Sequence, residues 1–400
     1  MKRLMSAAIF AFGIYAGGPA AAAVETAPCG NAGTYLGALV QGENYRVAGD
    51  VRCDGFLRIF LFETSYGQYQ INGEEMAKAF IRELKAVDAL NKMSQSDVFA
   101  KSFQTAAMAP VRYGVDLVTN PLGTIGNSLS GVANMFDQVG ASLADPQANR
   151  ASAADSLLGV DSARRQLAVG LHVDPYTEFP PLAKKLTEVA GAMAAGGLTI
   201  RAALAVVPGG VGMAVSSASS MQSLGDTLRS KTAPQIVQEV KEILRRLRVP
   251  PSAVARLVEN RSYTPAELLF MARALAQLKA ADTGVFVERA ADARSRDIAF
   301  FQCSRAEFLA RRSRELGGIV SFVSVGGFPL NRAKDGTIVA AFPFDEVAWT
   351  EIMQRAATVV TGALRSRATG HKPVLAVSGA ITPLASREFG KLGWRVVQFP

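Results

Sequence analysis

The large apolar residues between Val111 and Leu143 obey a single rule. Val111, Val115, Val118, Leu122, Ile125, Leu129, Val132, Phe136, Val139 and Leu143 follow one another in alternating steps of four and three. A period of about 3.5 residues is that of a narrow apolar seam on helical surfaces. Pro121 lacks an N–H and fits the first position of a helix, and Asn120 before it is a suitable N-cap. The pattern therefore predicts a short helix ending near Val118, then a second from Pro121 to about Ala144, closed by Asp145-Pro146. Interior Gly123, Gly126, Gly131 and Gly140 would weaken an isolated helix, at about 1 kcal/mol each against Ala. The stripe needs a cover: the protein's own core by default, a partner helix from this chain or a second copy, or a lipid surface. Among these residues Arg112, Asp116 and Asp137 are the only charges, so electrostatic attraction alone would not hold the stripe to a membrane.

The periodicity changes on both sides. Tyr45 to Val51, Phe56 to Phe62 and Tyr66 to Ile71 are rich in β-branched and aromatic residues, and the turn dipeptide Asp54-Gly55 separates the first two. They predict a three-stranded antiparallel meander, with a further strand over Tyr35 to Val40 as an option. A helix from Gly73 to about Leu90, with Met76, Phe80, Leu84 and Val87 on one side, would cover it. The polar stretch Ala144 to Ser156 reads as a linker. Three prolines within Asp174 to Pro181 predict an ordered extended loop, by default a connector but able to line a surface groove. Val189 to Val215 is the most apolar run, Ala- and Gly-rich, broken by Pro208-Gly209-Gly210 and bearing Arg201. A buried helical hairpin is expected there before a membrane hairpin, because Ala contributes little to insertion and a central Arg opposes it.

Residues 234–316 predict several short helices, one opened by the capping box Thr264-Pro265-Ala266-Glu267. Strands over Ile319 to Val325, Thr337 to Phe342, Pro373 to Val377 and Trp394 to Phe399 follow, with helices from Glu346 to Leu364 and from Thr382 to Leu392. The fold class is thus α+β and predominantly helical: a small N-terminal β-meander, an Ala/Gly-rich helical middle and a small C-terminal ββαβαβ unit. The boundaries fall at 1–23, 24–90, 91–150, 151–318 and 319–400.

Residues 1–23 carry Lys2 and Arg3, an apolar run from Leu4 to Ala16 and Ala21-Ala22-Ala23, the pattern of a cleaved export signal. The expected address is the periplasm or the exterior, with membrane association an option. Cys29 and Cys53 could pair in such an oxidising compartment, whereas Cys303, beside Phe300 and Phe301, fits a buried thiol. The net charge is +9, concentrated over 241–315, where Arg245, Arg246 and Arg248, and Arg311, Arg312 and Arg314, form two clusters. The export signal and the lack of any nucleic-acid-binding motif exclude a nucleic-acid partner, which leaves a solvated basic face or contact with an anionic envelope surface.

The catalytic motifs searched for are absent. There is no G-x-S-x-G elbow and no phosphate-binding loop, and Gly210-Val211-Gly212 lacks the third small residue of a dinucleotide fingerprint. His172 and His371, the only histidines, lack neighbours at metal spacing. No cofactor is implied. The expected function is that of an exported envelope protein, non-catalytic, binding a membrane surface or a protein partner through amphipathic and basic helical surfaces, with self-association an option. The alternative is a periplasmic enzyme with its site near Ser378 and Thr382, where a strand end meets a helix N-terminus.

Overall fold

The computed structural model describes residues 24–28, 30–95, 99, 151–194, 199, 224–365 and 370–399, with the backbone alone over 151–158. Residues 1–23, expected as an export signal, Cys29, the 111–143 stripe and most of 195–223 lie outside the described residues. The described chain is mixed α+β, with an antiparallel sheet near its N-terminus and a second sheet near its C-terminus.

The N-terminal sheet is organised on β4 (Arg58–Thr64). It alternates strictly, Phe60 and Phe62 buried and Leu61 exposed, as a strand with one covered face must. β5 (Gly67–Asn72) pairs along one side of it. On the other side β2 (Tyr45–Val47) pairs with its C-terminal end and β3 (Asp50–Cys53) with its start. The run expected as one strand from Tyr45 is therefore broken at Ala48-Gly49. β1 (Gly30–Asn31) adds to β3. Residues 35–40 are not a strand: α1 (Ala32–Leu36) and a 3-10 turn (Gly37–Val40) occupy them. The Asn31 side chain accepts the Gly33 N–H as N-cap at 2.8 Å, a local start signal that outweighs the weak β preference of Tyr35 and Val40. α2 (Glu74–Ser94) covers the sheet with Phe80, Ile81, Leu84 and Val87 and runs one turn past its expected end.

α3 (Ala151–Gly170) begins inside the polar stretch expected as a linker, so residues 151–156 are helical, as their Ala content permits. α3 and α4 (Pro180–Ala194) complete the first core through Leu167, Leu171, Leu182 and Leu186. The helical middle continues through α5 (Gly225–Ser230), α6 (Ala233–Arg246), α7 (Pro251–Glu259), α8 (Pro265–Leu278), α9 (Gly284–Ala291) and α10 (Arg296–Arg312).

The C-terminal sheet runs in the order β12 (Arg395–Gln398), β10 (Val374–Val377), β8 (Ile338–Phe342), β7 (Phe328–Ala333), β6 (Ile319–Val325). β10 is parallel to both neighbours, while β6, β7 and β8 form an antiparallel meander. β7 has no counterpart in the expected ββαβαβ order: Pro329, Asn331 and Arg332 mask its strand character. It is set instead by the Gly326-Gly327 hairpin, where both residues have positive φ. Short β9 (Glu346–Val347) and β11 (Ala380–Ile381) pair beside the sheet. α8, α9 and α10 cover one face, and α11 (Glu351–Arg365) and α12 (Pro383–Lys391) the other. The helical middle and this sheet share one core across residue 318.

Two acids, Asp345 and Glu25, tie the C-terminal unit to the start of the chain. Asp345 Oδ2 accepts the backbone N–H groups of Arg58 and Glu74 at 2.9 and 3.0 Å, capping α2 from a residue far along the chain. A Cβ at Gly379 would lie 2.0 Å from the Asp345 carbonyl oxygen, so only Gly permits that approach. Glu25 Oε1 accepts the Trp349 N–H at 2.6 Å and the Thr382 hydroxyl.

Candidate ligand-binding cavity

A cavity of about 730 Å³ opens where the N-terminal core, the helical middle and the C-terminal sheet meet. Much of its wall is apolar and aromatic. Tyr69, Phe80 and Phe179 form one side, their rings 5.1 to 5.6 Å apart and mostly edge to face. Phe301, stacked on Phe344 at 5.6 Å, and Phe308, edge to face with Phe399 at 5.9 Å, supply another. Such a concave, largely apolar site with a few convergent polar groups is the usual form of a small-molecule pocket.

The polar groups come from four elements. α2 contributes Glu83, whose Oε1 accepts the Thr177 hydroxyl at 2.5 Å. The loop between α3 and α4 contributes Asp174. Its Oδ2 accepts the Thr264 hydroxyl at 2.5 Å and its Oδ1 the Tyr176 N–H at 2.8 Å. α8 contributes Glu267, the third helical residue of the expected capping box, which is formed: the Thr264 N–H donates to Glu267 Oε2 at 3.0 Å, and the Glu267 N–H to Thr264 Oγ1 at 3.2 Å. The same Glu267 oxygen takes an ion pair from Arg296, at the start of α10.

Three carboxyl groups thus share one guanidinium. Burial, and then each other's charge, push Glu83 up to about 7 and Asp174 up to about 6, against the pull of Arg296 and the two hydroxyls. Arg296 is held well above its usual range by Glu267, with Asp174 and Glu83 adding to it, even though burial acts the other way. Four other cations of the wall already have carboxylates. Arg58 pairs with Glu74 and Glu346, and Lys78 with Glu74 and Glu75. Arg311 and Arg312 pair with Glu307 and Glu315. Among the described residues no group of His, Cys, Asp and Glu could hold a metal ion.

The residues singled out from the sequence fall unevenly around this site. The three-proline loop lines the cavity through Asp174, Thr177 and Phe179. His172 lies at its lip with φ of 57°, the left-handed residue that ends α3, where the Val173 N–H bonds back to the Ala168 carbonyl at 3.0 Å. Cys303 is buried and donates to the Glu267 carbonyl at 3.7 Å. Ser378 reaches the far rim, but its hydroxyl donates to the Phe344 carbonyl at 3.0 Å. Thr382 caps α12 by accepting the Ala385 N–H at 3.1 Å and gives its proton to Glu25. Both hydroxyls are thus committed to holding the βα turn in place. Cys53 accepts the Gly55 N–H at 3.3 Å, and burial pushes its thiol up to about 11; its expected partner Cys29 lies outside the described residues. In the basic clusters Arg245 and Arg246 both bond Glu242, at 2.9 Å, so that face is partly neutralised by its own helix. Among the described residues no helix is long and apolar enough to cross a membrane.

Neither Glu83 nor Glu267 carried a signal of the cavity in the sequence. Glu83 sits beside the apolar face of α2, and Glu267 reads only as a cap. Comparison of the chain with protein-family models, with curated proteins and with solved structures finds no match.

Proposed function

We propose that this chain is an exported cell-envelope binding protein that works without catalysis, and that the junction cavity is its ligand site. The observation that carries this reading is the cavity itself: about 730 Å³ with aromatic walls, into which charged groups from four separate elements converge. Its volume suits a small molecule or a few residues of a peptide. The commitment of Ser378 and Thr382 to backbone and capping bonds favours binding over a hydrolase at that turn. The 111–143 stripe and the basic helices are the surfaces we assign to contact with an envelope membrane or protein partner, on the strength of the apolar period and the charge alone.

The test uses the mature chain, residues 24–400, and the neutral fluorophore N-phenyl-1-naphthylamine. Saturable binding with a micromolar Kd, lost when Ala79 in the cavity wall is replaced by Trp, is the expected result. Fluorescence that does not saturate, or that Ala79→Trp leaves unchanged in a folded protein, overturns the reading.

A further inference from the structure

We propose that the cavity selects a ligand bearing a positive charge on an apolar body, with Glu83 and Asp174 meeting the charge and the aromatic wall meeting the body. This inference rests on the cavity being a ligand site and adds the chemical class of what enters it.

The argument starts from the pairing of charges around the wall. Arg58, Lys78, Arg311 and Arg312 are each within ion-pair distance of a carboxylate, and Glu267 holds Arg296 directly. Among the described residues Glu83 and Asp174 have no such ion pair of their own. They also lack the bonds that settle the other two half-buried lining acids without one, Asp345 on two backbone N–H groups of the joint and Asp297 on the Asn72 amide. The hydrogen bonds they receive come from the hydroxyls of Thr177 and Thr264 and one backbone N–H. The charges that face them are Arg296 from α10, already engaged, Glu267 from α8, Arg82 from α2 itself, and, toward Asp174, Arg164 from α3, which also faces Asp161 on its own helix. A carboxylate out of bulk water with a shared counter-ion is costly, and it lowers that cost either by taking a proton or by taking a cation. Tyr69, Phe80 and Phe179 stand on the same side of the cavity, and aromatic faces attract organic cations. A metal ion is the poorer occupant, since the described acids do not gather as a metal-binding group. An anionic ligand would add a further negative charge beside three carboxyl groups.

Proton and ligand then compete for the same oxygens. Near pH 6 the empty site holds a proton on Glu83 and shares one on Asp174. An arriving ammonium displaces proton to solvent, so affinity rises from pH 5 to pH 8, while an alkylammonium keeps its own charge throughout, with a pKa of roughly 10.

The experiment is isothermal titration calorimetry of the mature chain with three matched probes, 4-phenylbutylamine, 4-phenylbutanol and 4-phenylbutyrate, beside N-phenyl-1-naphthylamine as the neutral reference. The amine is expected to bind tightest. At pH 6 its binding should release about one to one and a half protons, read from buffers of different ionisation heat, and few at pH 8.5. Glu83→Gln and Asp174→Asn should each weaken the amine about tenfold at pH 8 and leave the alcohol and the fluorophore unchanged. Equal binding of amine and alcohol, preference for the acid, or an amine affinity unmoved by both folded variants overturns this inference while the cavity stands. Failure of the fluorophore and of all three probes overturns the cavity reading and this one together.

Discussion

Glu83 shows at the scale of one residue how a folded chain can place an acid where its ionised form is disfavoured. Its ordinary carboxyl value is 4.5 and burial raises it to about 7. The folded state therefore binds more protons than the unfolded state between those values. Its contribution to stability is fully present below about pH 4.5 and is lost as pH rises through about 7. Asp174 and Asp345, both raised to about 6 mainly by burial, carry the same sign. Glu83→Gln keeps the acceptor for Thr177 and removes the charge. We expect the variant to be more stable than the parent at pH 8, by about 1–2 kcal/mol after allowance for water in the cavity, and equal to it at pH 4.5. Urea unfolding at the two pH values measures this, and a parent that gains stability from pH 5 to 8 contradicts it. Arg305 is the opposite case. It is fully buried on α10, and burial, with the like charge of Arg289 adding to it, pulls its guanidinium down to about 9. Its Nε donates to the Ala341 carbonyl at 3.0 Å, a second nitrogen donates to the Pro329 carbonyl, and its plane lies 4.2 Å from the Phe342 ring centre. Backbone carbonyls from β7 and β8 hold this charge, which gives it a place in the packing of α10 on the sheet.

At the scale of the element, Thr264 joins helix formation to the site. Its hydroxyl oxygen accepts the Glu267 N–H in the capping box while its proton goes to Asp174. Thr264→Ala removes both bonds, so α8 loses its N-cap and Asp174 loses a donor. The expected cost is about 1–2 kcal/mol in urea unfolding, with Thr264→Ser restoring most of it. A variant with parental stability would show that the cap does not hold α8. The capping box was legible in the sequence because its residues lie within one helical turn. The alternating strand β4, the covering helix α2 and the buried strand β10 were legible for the same reason, since their periods are local. The optional strand over Tyr35 to Val40 gives way to the end of α1 and a 3-10 turn because one Asn cap starts the helix just before it. β7 escaped because Pro329 and its polar neighbours suppress the strand signal, while its register comes from a glycine hairpin and two partner strands. The cavity was barely legible: the three-proline loop could be assigned to a groove, but not the acids facing it from α2 and α8. Residues 83, 174, 267 and 296 converge only when three layers are assembled, and no spacing along the chain records that.

At the scale of the molecule, the site lies between cores rather than within one, and its shape depends on how firmly they are joined. The N-terminal sheet with α2, α3 and α4 forms one core, and the helical middle shares a second with the C-terminal sheet. Asp345 is the joint between them. It leaves the C-terminal sheet just after β8 and caps the first turn of α2, and the Phe344-Asp345 backbone is itself fixed by the Gly379 and Ala380 N–H groups at 2.9 and 3.0 Å. The Arg58 guanidinium spans the same joint, bonding Glu74 on one side and Glu346 on the other. Asp345→Ala leaves the hydrophobic cores untouched and frees two N–H groups, that of Glu74 at the start of α2 and that of Arg58 at the start of β4, at a cost of about 1–2 kcal/mol. That corresponds to a fall in Tm of about 1–3 °C in a chain of this size. The more telling measurement is hydrogen exchange. The amides of Arg58 and Glu74 should exchange faster, with slower amides in the middle of α2 and in β10 unchanged, because the loss is local to the joint. Binding of N-phenyl-1-naphthylamine should weaken in the same variant, since the cavity wall runs through Arg58, Glu74 and Asp345. If exchange quickens across the whole N-terminal core instead, the two cores unfold as one unit and Asp345 supports the entire fold. If ligand affinity is unchanged while the joint loosens, the cavity keeps its shape without the clamp and its rigidity resides in the aromatic wall.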